Sequence, residues 1–238
     1  MFVVHDHRIP KEYMDALRIK FPKILFLPFY GISNNVPVYN SILSHPDIYI
    51  FQLNRKTVIH APGISEIFLK YFKKYNVTLI QGDNDPFGKY PDTAGYNAVC
   101  LKGVLFHNFE YTDPVIIRTA KQKGFKLVNI NQGYARCATF IISENAVITS
   151  DKGMATVFKN NGIDVLTVSS KSIALPGEKY GFIGGASGRL NDDKVFILGD
   201  MTLHVEYFEI SRFLIKHQVE CVSLKGLSLY DAGGFMVF

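Results

Sequence analysis

The feature that most constrains this chain is an internal repeat. Five short β-rich segments, FVVHD (2–6), TVIHA (57–61), VLFHN (104–108), AVITS (146–150) and FILGD (196–200), are each followed by the same programme. A helix-length stretch comes first: PKEYMDALRIKF, GISEIFLKYFKKY, TDPVIIRTAKQKG, KGMATVFKNNG and VEYFEISRFLIKHQ. In the second of these, Ile64, Ile67, Phe68, Tyr71 and Phe72 recur at helical spacing while lysines take the other side. Pro10 and Pro114 stand in or near first turns, and Gly124 and Gly162 at helix ends. A strand comes next in every copy: KILFLP, NVTLIQ, FKLVNI, DVLTVS and ECVSLK. Four copies also carry an apolar strand in front: DIYIFQL, YNAVCLK, CATFIIS and, less regularly, YGFIGGASG.

The first copy lacks that leading strand. FVVHD opens the sequence, whereas GGFMVF closes it with no unit behind. A buried strand must pair its backbone N–H and C=O groups, so the two ends are expected to complete each other. The sequence therefore predicts an α/β (α+β) fold, a single domain over 1–238 made of five ββαβ units. These are expected to close as a propeller with pseudo-fivefold symmetry, the N- and C-terminal strands completing one unit and leaving no open edge. An open α/β sheet of alternating strands and helices is the alternative. Residues 29–46 and 82–94 read as inserted loops, the second rich in Gly, Pro and Asp.

Composition narrows the classes further. With 47% hydrophobic and 20% charged residues, the chain can bury a large core. No stretch approaches the roughly 18 apolar residues that cross a bilayer, and MFVVHDHRIP lacks the basic start and apolar core of a signal peptide. A cytoplasmic protein with no membrane partner is expected. The net charge of +5 is scattered; its tightest group, Lys70, Lys73 and Lys74, lies on the polar side of a helix, so nucleic acid is not an expected partner. Cys100, Cys137 and Cys221 form an odd set without CxxC spacing and read as free thiols. His5-Asp6-His7 reads as a surface strand end rather than a metal site. The run GFIGGASGR (181–189) fits no phosphate-loop template, because Gly188 is followed by Arg189 and no helix follows. Its glycines are read as letting the backbone come close to the axis. No cofactor and no metal is called for.

A ring of five such units resembles the pentein fold of the guanidine-modifying enzymes: arginine deiminases, dimethylarginine dimethylaminohydrolases, agmatine deiminases and amidinotransferases. The stretch YGFIGGASGRLNDDKVFILGDMTLHVEYF is most similar to the fourth unit of those enzymes, with a Gly-Gly turn, a strand and the His-x-acid pair His204-Val205-Glu206. The GFIGGASG segment and a Cys before the third unit are similar to an uncharacterised bacterial branch. The resemblance implies a cysteine thiolate that attacks the guanidinium carbon, a histidine that moves protons, and carboxylates that hold the planar cation. One departure stands out. The nucleophile of those enzymes follows the C-terminal Gly-rich turn, whereas Gly233-Gly234 are followed here by Phe235, Met236, Val237 and Phe238. The Gly184-Gly185 turn also lacks the neighbouring carboxylate that several of them carry.

If leading strands pack around a common axis, polar residues at their starts converge. These are His45, Asp47, Asn97, Cys137, Ser187 and Asp231, to which the resemblance adds His204 and Glu206. The expected catalytic set is Cys137 as a displaced nucleophile, stabilised as thiolate by Arg136, with His204 as acid and base and Glu206 beside it. Asp47 and Asp231 would hold a cation; His45, Asn97 and Ser187 would contact the ligand. Each has a structural alternative: Cys137 as a small buried hydrophobe, His204 as a helix-start filler, Asp47 as a turn cap and Asp231 as a turn residue. Cys100 and Cys221 are expected in the core. Two functions follow. One is an amidinohydrolase- or deiminase-like enzyme acting on a small guanidino or other cationic amine; the other is a non-catalytic pentein-fold protein that binds a small ligand or a protein partner, as the ribosome-associated pentein translation factors do.

Overall fold

In the computed structural model, residues 1–32 and 37–238 are described; positions 33–36 of the expected 29–46 loop lie outside the described residues. Every anchor segment is the middle strand of a three-stranded sheet. These strands are Phe2–Asp6, Thr57–His60, Val104–His107, Ala146–Thr149 and Lys194–Ile197. Each pairs in parallel with the strand after its helix, namely Leu25–Phe29, Thr78–Gln81, Lys126–Asn129, Asp164–Thr167 and Glu220–Val222. A parallel pair needs a long crossover, which the helices Lys11–Lys20, Glu66–Lys74, Pro114–Gln122, Lys152–Asn160 and Tyr207–Lys216 supply.

On its other side each middle strand meets a leading strand in antiparallel fashion. These are Ile50–Asn54, Val99–Leu101, Thr139–Ser143 and Ser187–Arg189 for the later units. For the first unit the leading strand is Met236–Val237 from the other end of the chain, with Val3 opposite Val237 and Val4 opposite Met236. Phe2 and Phe238 exchange both backbone hydrogen bonds at 2.9 Å. The Phe2 ring stacks on Phe238 at 4.9 Å and meets the edge of Phe72 at 5.4 Å, so side chains and backbone hold the same junction. The leading strands also touch one another, and a cavity of about 330 Å³ is lined by residues from all five.

Four apolar clusters fill the space between sheets and helices, each drawing on neighbouring units. The helix starts follow from sequence: Asp113 accepts from Val115 N with Pro114 behind it, and Asp151 accepts from Met154 N. Three local expectations are corrected. Ile67 and Tyr71 are exposed, Ile67 by 72%, because a nine-residue helix meets its sheet along one narrow line through Phe72. Residues Pro46–Tyr49 form a helical turn, so the leading strand begins at Ile50 rather than Asp47. His5 and Asp6 are buried rather than at the surface, because loops of later units cover that strand end. Among the described residues no helix is long and apolar enough to cross a membrane.

Replacing the fully buried Phe2 by Ala removes the ring that joins both chain ends to the helix Glu66–Lys74. Urea unfolding is expected to show a loss of about 3–5 kcal/mol, the range for a buried aromatic truncation.

Candidate functional site

Asp47, Asn97, Cys137 and Asp231 each precede a leading strand in a different unit. Three of them meet directly. Cys137 Sγ donates to Asp47 Oδ2 at 2.7 Å, and Asn97 Nδ2 donates to the same sulfur at 3.3 Å. Asn97 Nδ2 also reaches the Asp47 carbonyl at 3.2 Å, and its Oδ1 accepts from the backbone N–H of Arg136 at 2.8 Å and of Cys137 at 3.0 Å. The amide therefore positions both the peptide that carries the thiol and the thiol itself. Asp47 Oδ1 is buried without a hydrogen-bond partner among the described residues.

Asp231 lies beside this group. Its Oδ2 accepts from Phe182 N at 2.8 Å and its Oδ1 from Gly233 N at 2.9 Å. The Gly184-Gly185 turn packs beneath it. A Cβ on Gly185 would come within 1.9 Å of Asp231 Oδ1, and one on Gly184 within 2.4 Å of the Arg136 carbonyl, so only glycine allows this approach. Gly185 N donates to the Cys137 carbonyl at 3.0 Å, tying that turn to the cysteine loop.

Cys137, His45 and Asp231 line a cavity of about 320 Å³ whose other walls include Tyr39, Tyr134 and Phe182, with Glu178 at its rim. The Tyr39 and Tyr134 hydroxyls lie 2.8 Å apart, and Glu178 accepts from Ser41 Oγ at 2.7 Å. Behind His45, its Nε2 stands 3.7 Å from Asp6 Oδ2, while Nδ1 is buried without a partner among the described residues. Asp6 accepts from Ser44 Oγ and Arg8 Nη2, both at 2.7 Å. Arg8 holds the Asp6 carboxyl below the usual carboxylate range against the opposing effect of burial. No three His, Cys, Asp or Glu side chains converge as a metal would need, among the described residues.

Burial dominates the electrostatics. It pushes the Asp47 carboxyl up to about 7, with the Cys137 hydrogen bond opposing and the Asp231 charge adding. Burial also raises Asp231, against the pull of His45 and two backbone N–H groups. It lowers His45, with the Asp231 and Asp6 charges opposing. Cys137 is only 4% exposed, and burial together with the Asp47 and Asp231 charges drives its thiol well above the ordinary range. The thiolate expected from the neighbouring Arg136 is thus corrected: the resting group is a neutral thiol, because desolvation and two carboxylates outweigh one guanidinium.

The other expected site residues lie elsewhere. His204 follows a short 3₁₀ turn, Met201–Leu203, and its helix begins only at Tyr207. Its Nε2 is 3.0 Å from the Ser169 carbonyl and its Nδ1 3.4 Å from Glu206, whose carboxylate accepts from Ser169 N. This pair ties a helix start to the loop after Asp164–Thr167 and does not meet Cys137. Ser187 donates to the Gly184 carbonyl and lines the cavity between the leading strands, not the one above Cys137. Cys100 and Cys221 are partly buried free thiols, both raised by burial, Cys221 to about 12. Sequence reasoning passed over Asp6, Arg8, Tyr39, Tyr134 and Glu178. Asp6 had a signal, since it shares its repeat position with Asp200; the tyrosines and Glu178 come from irregular segments and had none.

A family model, "Family of unknown function (DUF6873)", matches residues 4–236. The chain belongs to this family. No curated protein matches it. Among solved structures it is similar to a DDAH from Pseudomonas aeruginosa complexed with citrulline, at 8% identity and a TM-score of 0.56 over 94% of this chain and 92% of that one. An inosamine-phosphate amidinotransferase from Streptomyces griseus gives 12% identity and 0.57, covering 94% and 77%. A C. jejuni agmatine deiminase gives 11% identity and 0.52, covering 96% and 90%. This family member therefore shares the mixed α/β fold of those three structures.

A carboxyl raised in the folded state keeps its proton above the unfolded value, so its contribution to stability falls as pH rises from about 4 towards 7. Asp47→Asn removes that dependence. Between pH 4 and 7 the variant is expected to lose less stability than the parent, by up to about 1.4 kcal/mol per pH unit, measured by denaturant titration across that window.

Proposed function

We propose that the five units close into one pseudo-fivefold ring, a single domain, and that the protein is a hydrolase of C–N bonds in a small guanidino or similar cationic compound. Ring closure is supported by the pairing of the terminal strands and by the cavity that all five leading strands share. The enzymatic reading rests on one observation above all: a thiol hydrogen-bonded to a carboxylate poised near neutrality, at the floor of a cavity with a second buried carboxylate. Neighbours of the same fold are named for amidino transfer and agmatine deimination, and one is solved with citrulline.

In this reading Cys137 is the nucleophile, held by Asn97, and Asp47 is its base. A cation seated against Asp231 adds positive charge near the sulfur and favours the thiolate. The Sγ proton passes to Asp47 Oδ2, sulfur bonds to the central carbon, and the C–N electron pair leaves with the amine, which takes the proton from Asp47. Water then attacks the sulfur-bound carbon and gives its proton to Asp47; the C–S bond breaks, and the sulfur regains the proton as a ureido product leaves. His45, Tyr39 and Tyr134 shape the pocket, and Glu178 adds negative charge at the rim. The roles expected of His204 and Glu206 are not needed.

A second reading has its own support. The neutral, hydrogen-bonded thiol also suits a binding protein that uses Asp231 and the aromatic walls to hold a small cation without reaction. Incubation with a panel of guanidino compounds separates the two. The enzyme reading expects amine or ammonia release and a mass adduct on Cys137. It expects Cys137→Ala to abolish turnover and Asp47→Asn to lower it by at least about 100-fold, while His204→Gln stays within about twofold. Ligand binding without adduct or release across the panel would leave the binding reading.

A further inference from the structure

The cavity between the leading strands is separate from the one above Cys137, and its chemistry differs. Four cations line it, Arg55, Lys102, Arg136 and Arg189, against two carboxylates, Glu144 and Asp192. Both carboxylates are already taken. Arg189 Nη1 pairs with Glu144 at 2.6 Å and its Nη2 with Asp192 at 2.8 Å. Glu144 also accepts from Lys102 N at 2.9 Å. Among the described residues Arg55 bonds only the Leu190 carbonyl, and Lys102 Nζ is in no ion pair.

Arg136 is the most informative member. It lines the cavity half-buried, whereas Arg55 and Lys102 are exposed, and its Nη1 donates to the Thr139 carbonyl at 3.1 Å and the Gly184 carbonyl at 3.4 Å. Its Nε and Nη2 donors have no acceptor among the described residues, and the group is partly withdrawn from water. A guanidinium in that position gains most from a planar or tetrahedral oxyanion that accepts two hydrogen bonds at once. At about 330 Å³ the space suits a small molecule rather than a macromolecular segment.

We infer that this cavity binds a small oxyanion, a carboxylate or a phosphate, held at depth by Arg136 and at the mouth by Arg55 and Lys102. Arg136 lines this cavity and not the one that Cys137 lines, yet its charge acts on Asp47, the partner of the thiol, and couples to Cys137 itself. Pairing with the anion withdraws positive field from the thiol and its carboxylate. The site is independent of whether Cys137 performs chemistry, since it needs neither substrate nor turnover.

Calorimetric titration with inorganic phosphate and, in a separate arm, with malonate, both at ionic strength held constant by chloride, tests the inference. Saturable binding in either arm is expected, and the stronger arm identifies the anion type. The exposed double variant Arg55→Gln/Lys102→Gln should weaken it by about fivefold or more. In the unmodified protein the saturating anion should also slow iodoacetamide labelling of Cys137 at fixed pH. No saturable binding above chloride would overturn the inference, as would unchanged affinity in the double variant. Labelling that ignores the anion would equally overturn it, by placing the ion away from Arg136.

Discussion

The hydrogen bonds between Phe2 and Phe238 are the constraint on which the rest depends. Without them the first unit has only two strands, and the strand Phe2–Asp6 leaves one edge of N–H and C=O groups unpaired in an apolar setting. The same pairing carries Asp231 and Gly233 to His45, since both lie just before the closing strand and a Cβ on Gly233 would meet His45 at 2.3 Å. A backbone requirement at the chain ends thus assembles side chains from distant parts of the sequence.

The site built in this way is governed by desolvation rather than by charge pairing. Asp47, Asp231 and Cys137 are all moved toward their neutral forms by burial, and His45 likewise. Among the described residues one carboxylate oxygen of Asp47 and one imidazole nitrogen of His45 are buried there without a hydrogen-bond partner. Buried polar atoms left without partners cost about 1–3 kcal/mol each, which a folded protein retains where function requires it. The cavity carries the Asp231 and Glu178 carboxyls beside the aromatic walls of Tyr39, Tyr134 and Phe182.

The legible part of the site followed from the repeat. Aligning the units places Asp47, Asn97, Cys137 and Asp231 before successive leading strands, and side chains at related positions in packed units come together. The His204-Val205-Glu206 pair looked equally chemical, but a His-x-acid spacing specifies only that two side chains are near each other. Here both bond Ser169, in the loop after Asp164–Thr167, with the His204 ring buried. The protonation state of Cys137 was read the wrong way round for a related reason: Arg136 is adjacent in sequence, whereas the carboxylates and apolar walls that prevail come from other units.

The sequence by itself determined the order of the elements and the strand or helix character of each segment, since these depend on local periodicity and on backbone groups that must be paired. Tertiary structure alone decided that the cysteine is a neutral thiol bonded to Asp47, that His204 and Glu206 bond Ser169 instead, and that Arg136 lines a different cavity from its sequence neighbour Cys137. Those outcomes turn on the distance and burial of groups remote in sequence, and Coulombic and desolvation energies depend on exactly those quantities rather than on spacing along the chain.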